Sequence, residues 1–344
     1  MSGVAIQRAH ALVPGNFWDK RYGDLLIEAA APLLDGADVD GVFCGSAGHG
    51  DVAALACDRL GLNPKIALSL EAADISGAAA LYAAWQHLRA GACRTALVLA
   101  AAKVSDLSEA ERIGLMDRTL DPDADVARGI VFTAQAGLLA GHYCREREAR
   151  ADVFAETTAA NLAAFARHKG RPAPTTAEIR RDLPVAPPLV RSDFAQLLDG
   201  GCAVLLSAGA TEGGAMLAAM ASATDIVSVW DRRDPLALAA AETAVSRVLA
   251  AAAPKHLEID AAASVVQRLA EDAVARAVAA GGNADRQAPQ VNLRGGAQGQ
   301  GRVFGASPLY QIADLLATRS GNALALSVGG LGAQAFAARV DGAA

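Results

Sequence analysis

Asp74 and Ser76 stand where the most uniformly apolar helix of the chain should begin, a position that can host chemistry. Ala78, Ala79, Ala80, Ala83 and Ala84 leave no polar face before Gln86 and His87, so most of this helix is expected to be buried. The unpaired N–H groups at a buried helix start carry partial positive charge and need an acceptor. A side chain placed there is held at an anion-friendly spot. The densest positive run, Arg167-His168-Lys169-Gly170-Arg171, is followed by Pro172 and Pro174 and reads either as a phosphate contact or as a solvated loop. Cys44, Cys57, Cys93, Cys144 and Cys202 are scattered without CxxC spacing, and His10, His49, His87, His142 and His168 are isolated. That usage predicts reduced thiols, a cytoplasmic setting and no metal.

These positions depend on the elements around them. Residues 68–104 read as strand, turn, helix and strand, the helix running to Ala90-Gly91 and the second strand covering Thr95–Ala102. The order recurs near the C-terminus: Gly77-Ala78-Ala79-Ala80-Leu81-Tyr82 matches Gly305-Ala306-Ser307-Pro308-Leu309-Tyr310, Leu88 falls on Leu316, and a strand at 322–327 follows. Two copies 228 positions apart (305 minus 77) predict similar halves with their central helices packed together.

Ahead of the first copy, 3–6, 40–45 and 65–70 read as strands and 23–34 and 53–60 as helices, the alternation of a parallel sheet with crossover helices. From 105 to about 186 charges and prolines appear, with helices at 130–147 and 151–166, which predicts a mostly helical insertion. The chain returns to the core at 197–208 through an Asp-Gly-Gly turn, and 209–214 reads as a hinge between halves 1–209 and 210–344. In the second half 215–221 and 256–259 read as strands, 236–252 and 263–280 as helices, and 281–289 as a polar linker. The glycine-dense run 291–305 lets backbone approach a ligand or another backbone closely, but it lacks the Lys-Ser/Thr of a phosphate-binding loop.

With 344 residues, 53% apolar and only 4% aromatic, the chain can build one large or two intimate α/β units with tight helix–sheet packing. A net charge of -6 argues against nucleic-acid binding. The apolar runs are interrupted by charge too often for a membrane span, and the N-terminus lacks a secretory-signal layout.

Three segments, LEAADISGAAAL (70–81), LLDGGCAVLLS (197–207) and VNLRGGAQGQGRVFGASPL (291–309), are closed by the glycine turn SVGGLG (327–332). In order, spacing and duplication the chain resembles the thiolase superfamily over nearly its full length, most closely the sterol-carrier-protein type. The resemblance implies an α/β thiolase fold, two duplicated βαβαβ-type halves in a five-layered α-β-α-β-α sandwich. A mostly helical loop domain, here about 105–186, is inserted in the first half and helps hold coenzyme A. Members make or break carbon–carbon bonds in acyl-CoA thioesters and dimerise through core strands. A coenzyme A thioester is thus the implied ligand, with Arg167, Lys169, Arg171 and Ser307 as the positions expected to meet it and no covalently bound cofactor.

The reactive positions depart from the family pattern. Thiolases place a nucleophilic cysteine at the buried helix start, where the dipole favours thiolate; this chain has Asp74 there. The His-Asp-x-Phe motif falls on Asp260-Ala261-Ala262-Ala263, the Gly-His-Pro motif on Gly301-Arg302-Val303, and the late cysteine on Ser327. A carboxylate can cap a helix but is a poor nucleophile toward a thioester, so ordinary thiolase catalysis is not expected.

Asp74, Asp260, Arg302 and Tyr310 are the candidate site residues. Asp74 reads as a helix cap or a general base, Asp260 as structural or catalytic, and Arg302 as their ion-pair partner or an anion-binding group for a carboxylate-bearing substrate. Tyr310, matched with Tyr82 across the repeat, reads as core or as an acid near a thioester carbonyl, and His256 as a strand-end histidine. The first functional expectation is a scaffold or dimer partner for an active thiolase-fold chain, as homo- or heterodimer, with a small zinc-ribbon/OB-fold protein as a further candidate partner. The alternatives are a cysteine-independent retro-aldol lyase acting on a β-hydroxyacyl-CoA, and an acyltransferase site completed by another chain.

Overall fold

A computed structural model describes residues 3–209, 214–250, 252–282, 288–319 and 321–342. The first half begins with Val4–Ala11 (β1), Tyr22–Ala30 (α1), Gly41–Gly45 (β2), Val52–Leu60 (α2), Ile66–Leu70 (β3), Ser76–Arg89 (α3) and Thr95–Ala102 (β4). An insertion follows: Glu109–Asp117 (α4), Phe132–Glu146 (α5), Asp152–Lys169 (α6), Thr176–Ile179 (α7) and a ribbon of Pro184–Ala186 (β5) with Leu189–Val190 (β6). Gly200–Ala208 (β7) then re-enters the sheet. The second half holds Ala215–Thr224 (β8), Ala239–Val248 (α8), His256–Asp260 (β9), Ser264–Ala280 (α9), Gln290–Val291 (β10), Gly296–Gln300 (α10), Ser307–Ala317 (α11), Ala323–Gly329 (β11) and Gln334–Asp341 (β12).

The strand order is β10-β9-β11-β12-β8-β1-β7-β4-β2-β3. Read inward from each edge toward the β1–β8 junction, each half has the same arrangement: three parallel strands (β3-β2-β4 and β10-β9-β11), then two antiparallel ones (β7-β1 and β12-β8). Among the described residues, the two halves of the sheet join through the β1–β8 pairs Ala5↔Met216 and Ile6↔Ala215. Helices α1 and α2 cover the outer face of the first half, α8 and α9 the outer face of the second, and α3 and α11 form the layer between. These are five layers, α-β-α-β-α, with the duplication of the sequence visible in the topology.

The central layer is close because its backbone is bare. A Cβ on Gly77 would lie 2.7 Å from the Gly305 carbonyl oxygen, and one on Gly45 would lie 2.7 Å from the Gly77 nitrogen. Only glycine permits that approach, and it allows the Gly77 N–H to donate to Gly305 O at 2.7 Å. Strands β4 and β7, buried along nearly their whole length, read as continuous apolar runs because both faces are covered.

Several elements differ from the sequence expectation. Strand β12 and the β5–β6 ribbon were not anticipated. Helix α6 continues through Arg167, His168 and Lys169 and stops at Gly170, whose φ of 63 caps it, so the basic run is a helical last turn and not a loop. Strand β1 runs to Ala11, five residues further than expected, because it pairs with β7 along its length. The expected hinge at 209–214 and linker at 281–289 fall largely on residues 210–213 and 283–287, outside the described residues. No helix among the described residues is long and apolar enough to cross a membrane.

Candidate functional site

Asp74 lies in a single 3-10 turn, Ala73–Ile75, ahead of α3. Ala73 has φ 47, a left-handed conformation uncommon for alanine, and this turn precedes the inward step of the chain. The expected helix cap is not formed. Helix α3 has no side-chain cap; Ser76 Oγ accepts the Ala72 N–H at 2.9 Å, and Asp74 turns away from the helix. Its Oδ2 accepts from Arg302 Nη1 at 2.8 Å and from the Gly330 N–H at 3.0 Å.

Asp260 ends β9, and Arg302 follows α10. The guanidinium meets Asp260 in a fork, Nε to Oδ1 and Nη2 to Oδ2, both 3.0 Å. All three side chains are buried, with residue exposures of 0% for Arg302 and 1% for each aspartate. The structure therefore brings Asp74, Asp260 and Arg302 into one ion triad. Asp74 and Arg302 are 228 residues apart, the same offset that superposes the two sequence repeats, so a duplicated position has become acid in one copy and base in the other.

The electrostatics follow from one cation held between two carboxylates. Burial raises the Asp260 carboxyl above its usual range, with the Arg302 charge and hydrogen bonds pulling against it. Arg302 is held protonated: burial alone would lower it, but Asp260 and Asp74 outweigh that. A buried charge cluster of this kind is stable only while all its members are present.

A cavity of about 450 Å³ opens beside the triad, between α4, the start of α5 and the stretch around Phe194. Arg302 is a fully buried member of its lining, whereas Asp74 and Asp260 are not among the lining residues. Met116, also on the wall, places its sulfur 3.6 Å from Arg302 Nη1. Its size fits a compact ligand. Asp260 borders a second, small cavity of about 20 Å³, room for roughly one water, lined also by Glu258, Ser307, Tyr310 and Asp314.

Tyr310 and Ser307 line that small cavity. The Tyr310 hydroxyl donates to Leu12 O at 2.8 Å and accepts the Gly201 N–H at 3.1 Å, tying α11 to β7. Burial raises its pKa. Ser307 Oγ accepts the Val303 N–H at 2.9 Å at the start of α11. Neither lines the larger cavity. Arg167, Lys169 and Arg171 are exposed at the end of α6, where Lys169 and Arg171 lie over the Phe165 ring at 5.8 and 4.8 Å. They do not line the larger cavity either. Ser327 Oγ donates to Gln311 Oε1 at 2.7 Å.

Three groups near the site were not picked out from the sequence. Glu258, two residues before Asp260, is buried and has its pKa raised to about 8, by burial first and then by Asp314. Arg112 of α4 lines the larger cavity. Asp199 of the Asp-Gly-Gly turn is fully buried and accepts the N–H groups of Phe17, Val104 and Ser105. Burial would raise Asp199, but the Ser105 hydroxyl and these N–H groups hold it below its usual range. The Asp-Gly-Gly turn was a signal for Asp199; nothing local marks Glu258 or Arg112. Among the described residues no group of three or more His, Cys, Asp or Glu side chains is arranged to hold a metal ion.

No family model matches the chain. It is similar to two acetyl-CoA acetyltransferases, from Methanocaldococcus jannaschii (27% identical over 143 residues, 38% of this chain and 36% of that one) and from Methanothermobacter thermautotrophicus (24% over 253 residues, 68% and 66%). The chain thus matches over no more than about two thirds of the length of these relatives. Among solved structures, it resembles the Ltp2-ChsH2(DUF35) aldolase with a TM-score of 0.79 at 15% identity, covering 98% of both chains. The acetyl-CoA acetyltransferase of Syntrophomonas wolfei gives 0.76 at 14% identity, covering 99% of both. The fold is the thiolase fold, and the sequence likeness to acetyl-CoA acetyltransferases supports a relationship to the thiolase superfamily.

Proposed function

We propose that this chain is a thiolase-fold subunit of an assembly acting on CoA thioesters, in which it contributes a thioester-binding surface and a structural partner and no nucleophile. One observation carries the reading: Asp74, which the sequence resemblance aligns with the family nucleophile, is bound by Arg302 together with Asp260. A carboxylate locked to a guanidinium attacks nothing, and Asp74 is not among the residues lining the neighbouring cavity. Likeness to acetyl-CoA acetyltransferases supplies the ligand class. The exposed run Arg167, Lys169, Arg171 is offered to the phosphates of coenzyme A.

A second thiolase-fold chain is the partner this reading calls for, joined through β3, the outermost strand of the first half. A small zinc-ribbon/OB-fold protein is a further candidate, in keeping with the two-component name of the aldolase that shares the fold.

A second reading, retro-aldol cleavage of a β-hydroxyacyl-CoA, is favoured by the cavity that opens onto Arg302 and by the likeness to an aldolase. There a base takes the β-hydroxyl proton, the Cα–Cβ bond breaks to release a carbonyl compound, and the electron pair forms a thioester enolate. Arg302 would stabilise that enolate oxygen.

The test is calorimetric titration with coenzyme A and acetyl-CoA, on the purified chain and on the chain co-expressed with its genomic neighbours. Saturable binding in either preparation supports the reading; binding only in the complex marks this chain as half of a composite site. Absence of binding in both overturns it. Incubating each preparation with a β-hydroxyacyl-CoA separates the two readings, because a lyase releases a carbonyl compound and a shortened acyl-CoA while a structural subunit on its own releases neither.

A further inference from the structure

We infer that Arg112 makes the larger cavity selective for acyl groups that carry a second anionic charge, a carboxylate set apart from the thioester. This rests on the acyl-CoA reading of the same cavity. Three arginines line that cavity, and two are already engaged. Arg302 is held by Asp74 and Asp260, and Arg191 pairs with Asp182 at 2.8 Å. Arg112 has no ion pair among the described residues, and its Nε is buried without a hydrogen-bond partner.

A buried N–H of a guanidinium left without an acceptor is costly, and such groups in native structures usually meet protein, water or ligand. Arg112 is also part of the wall of the larger cavity. The acidic residues on the same wall do not fill the role. Asp117 accepts the Phe132 N–H at 2.8 Å, and Glu109 is exposed in the first turn of α4. The remaining wall is largely apolar, with Ile113, Phe132, Phe194 and Leu197. An apolar chain ending in a carboxylate matches that lining: methylenes against the side chains, charge on Arg112.

The anion could come from the acyl group or from the phosphates of coenzyme A, and geometry favours the first. Arg112 and Arg302 share one cavity of about 450 Å³. The phosphates of coenzyme A are separated from the thioester by the whole pantetheine arm, which such a cavity does not span once an acyl group occupies it.

Glutaryl-CoA and valeryl-CoA have acyl chains of equal length and differ at the end, as carboxylate or methyl. Each, together with free coenzyme A, is titrated calorimetrically into wild type, Arg112→Met and Arg112→Lys, in whichever preparation binds coenzyme A. Wild type is expected to bind glutaryl-CoA at least about tenfold more tightly than valeryl-CoA, the scale of one charge-assisted hydrogen bond. Arg112→Met removes that ratio while leaving valeryl-CoA affinity within about threefold, and Arg112→Lys restores part of it. Equal wild-type affinities overturn the inference, as does a loss in Arg112→Met that is the same for all three ligands, which assigns Arg112 to the phosphates. Binding without discrimination defeats only this inference; no binding of any CoA ligand defeats the acyl-CoA reading with it.

Discussion

Arg302→Met leaves Asp74 and Asp260 buried with no cation between them. The expected loss is about 3–5 kcal/mol, the usual consequence of removing one member of a buried charge cluster. Urea unfolding at neutral pH measures it. Replacing the whole triad, Asp74→Leu with Asp260→Leu and Arg302→Met, should recover much of that loss, because desolvation is then avoided for all three groups. A triple variant less stable than Arg302→Met would show that the cluster is favourable in itself. Glu258 calls for a different measurement. Burial raises its pKa to about 8 from the ordinary 4.5 of a glutamate, against the Leu293 N–H and Arg294, with Asp314 adding to the rise. The folded state therefore holds this proton more tightly than the unfolded chain, so the stability it contributes is full below the unfolded pKa and is lost as pH climbs toward 8. The loss approaches about 1.4 kcal/mol per pH unit. Glu258→Gln keeps an acceptor for Leu293 and removes the ionisation. Its stability relative to wild type should rise steadily in urea melts between about pH 5 and 8; a constant difference would place the Glu258 ionisation elsewhere.

Elements set how close these residues come. Gly77→Ala pushes a methyl against the Gly305 carbonyl, a backbone atom that yields only if α3 and α11 separate. Destabilisation of about 1–3 kcal/mol is expected, with faster hydrogen exchange at the Gly77 amide. The same change at Gly141, inside α5 with nothing within 4 Å of an added Cβ, should instead stabilise by about 0.5–1 kcal/mol. Thermal unfolding of the pair separates packing from propensity, and equal signs would contradict it. This is also where the sequence was most and least readable. Strand β4 matched its expected bounds because Thr95–Ala102 is one apolar run between Gly91 and Lys103, and the repeat placed α3 beside α11. Strand β12 escaped because QAFAARVD is alanine-rich and mostly buried on both faces, so neither β-propensity nor period-two alternation marks it. The end of α6 was misread because three consecutive basic residues before Gly and Pro look like a loop, while a helix dipole favours them in its last turn. The pairing of Arg302 with the aspartates was legible as a possibility from aligned motif positions. That it takes both at once, and that Arg112 stands unpaired, depends on packing across elements far apart in sequence.

At the scale of the molecule, the two halves end differently. The second half finishes in the two-residue β10, too short to template another strand. The first half finishes in the five-residue β3, paired on one side with β2 and open on the other, with Ala67, Leu68 and Ser69 exposed. An edge of that kind invites pairing with another chain. In a two-fold contact between copies each strand meets its own image, so the middle residue, Leu68, sits nearest the axis. A dimer joined this way should be seen by light scattering at micromolar concentration. Leu68→Glu would set two carboxylates opposite each other, which is destabilising in a strand pair, and should shift the mass to a monomer while leaving circular dichroism unchanged. Should the wild type be monomeric alone but gain mass on co-expression, the same substitution must abolish that heteromer if β3 is the shared edge. A complex that survives Leu68→Glu is held by some other face, and the partner role proposed for this chain would then have to be built on that face.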